Sequence, residues 1–102
     1  MDLSGTLITD ASADTLGKAI NLKSLHLAET AITNLSLAKL SSLKNLSALN
    51  LHGTQINNDA IGQLGKLRQL RKLYLWQTEI DAAGAEALRQ QLSGCEIVMG
   101  DS

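Results

Sequence analysis

Phenylalanine and proline are absent from this chain, which also holds one tryptophan, one tyrosine and one cysteine in 102 residues. The lone Cys95 excludes an intrachain disulfide, and beside Gly94 it has no Cys-x-x-Cys or histidine-rich spacing to suggest a metal, so a small, half-buried residue near the last strand is expected. No apolar run approaches the roughly 18 residues of a membrane span, which excludes membrane insertion by a helix. Nor does charge of one sign dominate: nine Lys and Arg against ten Asp and Glu leave a formal charge of −1. That balance removes any overall electrostatic case for nucleic acid or an anionic membrane. The opening Met1-Asp2-Leu3 lacks the charged and apolar regions of an export signal. There is no Gly-rich phosphate loop, no nucleophile elbow and no pair of carboxylates on a common face. The expectation is a protein that is not an enzyme and needs no cofactor.

What the chain does have is periodicity. Leu3, Leu27, Leu51 and Leu75 fall 24 residues apart, as do Thr6, Thr30, Thr54 and Thr78, and Ile8, Ile32, Ile56 and Ile80. Leu22, Leu46 and Leu70 form another column, Leu25, Leu49 and Leu73 a fourth, and Leu16, Leu40, Leu64 and Leu88 a fifth. So many columns in register define a repeat, with phases starting near residues 1, 25, 49 and 73. A single domain over residues 1–102 follows, since 44% apolar residues suffice for one core but the length does not allow two.

The unit reads L-x-x-L-x-L-x-x-T-x-I, as in Leu22-Lys23-Ser24-Leu25-His26-Leu27-Ala28-Glu29-Thr30-Ala31-Ile32. Leu25 and Leu27, two apart, point into the coil while His26 points out, which makes a short strand. Leu37, Leu40 and Leu43, or Ile61, Leu64 and Leu67, then trace one buried helical face. Asp10, Asn34, Asn58 and Asp81 stand just before these segments, where short oxygen-bearing side chains can cap helices. The threonine column Thr6, Thr30, Thr54 and Thr78 is expected to be a structural turn ladder, its hydroxyls meeting backbone groups.

This unit resembles that of the leucine-rich repeat, and the fold class expected is an α/β solenoid. It should carry about five parallel strands on a concave face, the last closing at 96–100, and four helical segments on the convex face. Within that family the consensus resembles 24-residue bacterial repeats of planctomycete and Bacteroidetes proteins. Leu73-Tyr74-Leu75-Trp76-Gln77-Thr78-Glu79-Ile80, Ala83-Gly84 and Cys95-Glu96-Ile97-Val98-Met99-Gly100 look like the end of repeat domains that follow c-type cytochrome domains. The resemblance implies protein recognition by an extracytoplasmic appendage of a larger protein. No Cys-x-x-Cys-His haem motif is present, so it carries no haem chemistry over, and Ser93 and Gly94 stand where a proline is often found in the closing turn.

The ends differ. Gln91 replaces leucine in the Leu43 and Leu67 column, and Glu96 and Asp101 flank the last strand with charge, which discourages edge pairing. Met1 and Leu3 form an open N-terminal edge that something should cover. The options are a preceding domain or further repeats of a parent chain, a second copy giving a homo-oligomer, or a partner; the first is simplest.

The outward positions form a grid: Asp2, His26, Asn50, Tyr74 and Val98 in one column, Ser4, Ala28, His52, Trp76 and Gly100 in the next, Ser24, Ala48 and Lys72 in a third. Glu29, Gly53 and Gln77 extend the rows into the turn. Both aromatic residues and both histidines lie here while Leu and Ile fill the core. That is the pattern of a recognition surface, so His26, Asn50, His52, Lys72, Tyr74, Trp76 and Gln77 are candidate contacts for a protein or peptide. Cross-strand stacking alone would also place aromatics there. His26 and His52 could meet a metal with Glu29 but lack a further ligand at standard spacing, and pH-sensitive contact suits them better. Lys66, Arg68, Arg71 and Lys72 form the one basic run, read either as a solvated edge offsetting a helix dipole or as a contact for an acidic partner. Asn34-Leu35-Ser36 and Asn45-Leu46-Ser47 match the glycosylation sequon.

Overall fold

In the computed structural model, which describes Gly5 and residues 9–99, four coils of the same shape lie side by side. Strands β1 (Ser24–His26), β2 (Ala48–Asn50), β3 (Lys72–Tyr74) and β4 (Glu96–Val98) pair in parallel in the order β1-β2-β3-β4. The register is the 24-residue period itself: His26 faces Asn50, Asn50 faces Tyr74, and Tyr74 faces Val98. Parallel neighbours need a crossover. The helices α1 (Ala13–Leu16), α2 (Asn34–Leu40), α3 (Ile61–Leu64) and α4 (Ala82–Gln91) provide one before each strand, α1 and α3 being led in by 3₁₀ turns at Asp10–Ser12 and Asn58–Ala60. Met1, Leu3 and Thr6, with the first strand expected around them, and Gly100, the end of the expected closing strand, lie outside the described residues.

The columns read from the sequence are the core. Leu25, Leu49 and Leu73, together with Leu27, Leu51 and Leu75, are fully buried, as are Leu40, Leu64 and Leu88 from the helical side. Each such side chain contributes roughly 1.5–3 kcal/mol of burial. With no phenylalanine available, the interior is filled by leucine and isoleucine repeating at the same place in every coil.

The helix caps differ from expectation by one residue. Asp81 does cap α4, accepting from the Gly84 N–H at 2.8 Å. Thr33 and Asn57, however, cap the other segments, through bonds from Leu35 and Asp59 N–H. Asp10, Asn34 and Asn58 sit one position inside and reach sideways to the next coil. Asp10 accepts from Thr33 N–H (2.8 Å), Thr33 Oγ1 (2.6 Å) and Ser36 Oγ. Asn34 exchanges two bonds with Asn57, and Asn58 accepts from Asp81 N–H at 3.3 Å. These residues stitch coil to coil because the cap one position earlier has already taken the intrahelical donor.

The helical segments are also shorter than the apolar spacing implied. Leu43 and Leu67 are buried from the return turns beyond α2 and α3. Only α4 runs long, so Gln91, in their column, is still helical and exposed, and Leu92 is the buried residue instead.

Candidate functional site

At the strand exits one column, Gly5, Glu29, Gly53 and Gln77, adopts positive φ of 69°, 58°, 71° and 59°. There the chain turns out of the sheet, and the Glu29 and Gly53 N–H groups donate to His52 and Trp76 carbonyls at 2.7 and 2.9 Å. Glycine tolerates this conformation freely, whereas glutamate and glutamine are strained in it. Just beyond, Thr30, Thr54 and Thr78 each donate a hydroxyl to the carbonyl three residues back, all at 2.7 Å. The turn is thereby closed on itself, and it fixes where the next side chains emerge.

On the sheet face that these turns border, His26, Asn50 and Tyr74 are half-buried in one register column and Lys72 is exposed at the head of β3. Ala28, read as an outward residue, is only 8% exposed; its methyl group is far shorter than the histidine and tryptophan of the same column. His52 and Trp76 meet. Their ring centroids are 4.9 Å apart at 46°, and His52 Nδ1 lies 3.0 Å from the Trp76 carbonyl oxygen, so that nitrogen must donate. Asn50 Oδ1 accepts from the His52 N–H at 3.0 Å, which joins the two columns. Trp76 remains 47% exposed even so. Gln77 is exposed at the strained turn beside it.

Two features of this region were not read from the sequence. A cleft of about 460 Å³ opens beside Trp76, lined by Ile80, Ala85 and Met99 together with Asp81 and Arg89. It brings together residues from the turn, from α4 and from just beyond the last strand, so no local motif could have announced it. The second is a pair of exposed aliphatic residues away from the sheet, Leu35 on α2 and Ile20. Their columns do contain the clue, since positions 11, 35, 59 and 83 read Ala, Leu, Asp, Ala, and a place that accepts aspartate need not be buried.

Among the described residues no three His, Cys, Asp or Glu side chains are grouped to hold a metal. Cys95 is half-buried, and its thiol is pushed above its ordinary value by burial and by the negative charge of Glu96, the opposite of an activated thiolate. Burial pushes the Asp10 carboxyl up, but the hydrogen bonds from Ser36 and Thr33 outweigh it and hold the group below its ordinary value. Asp81 is held low by the Gly84 N–H and by Asn58. These carboxylates serve the frame. The amides of both sequon asparagines are likewise engaged between coils, Asn34 with Asn57 and Asn45 with the Ile20 carbonyl.

The profile of the leucine rich repeat family matches residues 1–56. This chain belongs to the leucine-rich repeat family. No curated protein matches the sequence at a significant level. Several solved leucine-rich-repeat and related structures share the fold. The Chaetomium Mex67:Mtr2 subunits superpose with a TM-score of 0.73 at 18% identity, over 92% of this chain and 71% of that one. Leiomodin-1 actin-binding site 2 gives 0.70 at 14% identity, over 100% and 70%. A leucine-rich-repeat protein of Leptospira interrogans gives 0.64 at 22% identity, over 95% of this chain but 30% of its own. At such identities the likeness is one of fold, and this leucine-rich-repeat chain spans under a third of the Leptospira protein.

Proposed function

We propose that this leucine-rich-repeat domain is a protein-binding module that engages its partner through the concave face at the β3 end, with Trp76 as the anchor. The observation that carries the reading is the 47% exposure of Trp76 in a chain whose described core holds no aromatic residue. Buried hot spots favour tryptophan and tyrosine, and here the tryptophan is braced by His52 and also lines a cleft. Tyr74, Asn50, His26 and Lys72 offer polar contacts around it, and Gln77 lies at the rim. The rigid ladder beneath lowers the ordering cost of binding. Leiomodin-1 actin-binding site 2 is a structural neighbour whose name records protein binding. On the resemblance to repeats that follow c-type cytochrome domains, the module is an extracytoplasmic appendage of a larger bacterial protein. Stacking of a parent domain or second copy on Met1 and Leu3 is the alternative role, and a concentration-independent monomer in light scattering counts against it.

The test is comparative capture. Wild type, the double variant Tyr74→Ala/Trp76→Ala, and Leu35→Ala as a convex-face control are immobilised and exposed to extract of the source cells, and retained proteins are quantified. The expected result is a protein held by wild type and by the control but lost by the double variant. Loss of an anchor worth about 2 kcal/mol corresponds to roughly thirty-fold in Kd. Full retention by the double variant removes the concave face from consideration.

A further inference from the structure

The charges of this chain are sorted by edge. The first three return segments leading from a helix to the next strand, residues 17–23, 41–47 and 65–71, contain lysine or arginine and no acid: Lys18 and Lys23, then Lys44, then Lys66, Arg68 and Arg71; the fourth, residues 92–95, carries no charge and runs into Glu96. On the opposite edge, where strands exit toward the helices, the charged residues of 27–33, 51–57 and 75–81 are Glu29, Glu79 and Asp81, with no Lys or Arg. Asp10 and Asp59 add to that side from the first turns of the helical segments. The formal charge of −1 conceals this separation completely.

The fold turns a sequence bias into a surface. Because the strands are parallel and in register, every return segment enters at the same edge, and backbone bonds from Ser47 N–H to Lys23 O and from Arg71 N–H to Ser47 O, both 2.7 Å, stack one segment on the next. Lys44 and Arg68 are equivalent positions one coil apart, and Lys23 and Arg71 are equivalent positions two coils apart. At about 4.8 Å between neighbouring strands these cations line a row of roughly 10 Å. The segments are pinned beneath them: Gln69 Nε2 donates to the Leu43 and Leu46 carbonyls, both at 2.9 Å, and Asn45 Nδ2 to the Ile20 carbonyl at 3.1 Å.

All six cations are exposed. Among the described residues the ion pairs are Lys39 with Asp14 and Arg89 with Glu86, both on helices. Compensation of helix dipoles does not account for the rest, because α1, α2 and α3 are only four, seven and four residues long and a helix's end charge falls off within its last turn.

We propose that the return edge is a second interaction surface, independent of the concave face, which takes a short carboxylate-rich protein segment in extended form. A row of about 10 Å matches three or four extended residues. A nucleic acid fits less well. No aromatic side chain lies on this edge to stack a base, since Tyr74 and Trp76 are both on the sheet side. A long polyanion following the row past Arg71 would also meet Glu96, whose N–H donates to the Arg71 carbonyl at 2.8 Å.

Fluorescence anisotropy of a labelled oligoglutamate peptide tests this. The intact chain should bind it, with affinity falling by about tenfold or more between low and physiological salt. The charge reversal Lys44→Glu/Arg68→Glu should abolish binding with the melting temperature unchanged, the milder Lys66→Gln/Arg71→Gln should weaken it severalfold, and Trp76→Ala should leave it intact. Equal binding by the charge-reversed chain overturns the proposal. Tighter binding of an oligothymidylate of equal charge overturns the choice of partner in favour of nucleic acid. Salt-sensitive self-association in sedimentation without peptide overturns it in favour of a second copy's acidic edge.

Discussion

Two glycines in helical segments should respond to the same substitution with opposite signs. Alanine is favoured over glycine within a helix by up to about 1 kcal/mol, so Gly62→Ala in α3, where an added Cβ meets nothing within 4 Å, should stabilise the protein. A gain of about 0.5–1 kcal/mol corresponds to a melting temperature higher by roughly 4 °C in a domain of this size. Gly84 is buried in α4, and its Cβ would lie 2.3 Å from Asn58 Oδ1, 2.9 Å from Ile61 Cδ1 and 3.0 Å from Ile80 Cγ2. The same propensity gain is then set against overpacking of about 1–3 kcal/mol and against displacement of Asn58, which forfeits its bond to Asp81 N–H for about 1 kcal/mol more. The balance is a loss of about 2 kcal/mol, or roughly 10 °C. Thermal and urea unfolding followed by circular dichroism measure both. Because the clash is with Asn58, Asn58→Ala should cost less in the Gly84→Ala background than in wild type, a coupling a double-mutant cycle reads directly. If Gly84→Ala melts at or above wild type, the tight coil-to-coil contact described between α4 and the preceding coil is wrong.

Three further outcomes follow from the same structure. Gln77→Gly should raise stability by about 0.5–1 kcal/mol in urea unfolding, because relief of a left-handed L-residue exceeds the added freedom of the unfolded chain, whereas Gly53→Val should lower it. Leu49→Ala, fully buried in the central strand, should cost about 3–4 kcal/mol, a large share of a small domain's total and visible as a lowered urea midpoint. Asp10 has a folded-state pKa below its ordinary 3.8, so the folded protein binds fewer protons there than the unfolded one. Its contribution is therefore complete above about pH 4 and is lost as pH falls through and below that value. Asp10→Asn should flatten the acid limb of the stability profile, and an unchanged limb would refute the assignment.

Columns that repeat the same apolar residue could be read directly from the sequence, because a solenoid gives equivalent positions equivalent surroundings. Leu25, Leu49 and Leu73 had one possible environment, and it is the one they have. The family, the parallel register and the inward and outward alternation of the strands followed from that regularity. Positions one residue apart at the helix starts could not be separated in this way. Asn57 and Asn58 are chemically alike, yet Asn57 caps through Asp59 N–H while Asn58 reaches across to Asp81 N–H. The left-handed turn was hidden for a related reason: Gly5 and Gly53 suggest it, but Glu29 and Gln77 obscure it. At the sheet face the sequence identified the exposed columns without the contact between His52 and Trp76, which depends on side-chain rotation. The cleft beside Trp76 draws on Ala85 and Arg89 of α4 and on Met99 of the next coil, a meeting that the leucine spacing does not express.

The side-chain bonds that stitch the coils join residues 23 to 26 positions apart, from Asp10 with Thr33 to Gln69 with the Leu43 carbonyl. Nothing in them refers to the total number of coils. An insertion of one full period within the array, such as a duplicate of residues 33–56, therefore keeps every column aligned with its mate, whereas an insertion of any other length moves every later column out of line. The molecule is in this sense a polymer with a fixed monomer length, free to lengthen or shorten by whole units while its sheet, turn and charged edges grow in proportion.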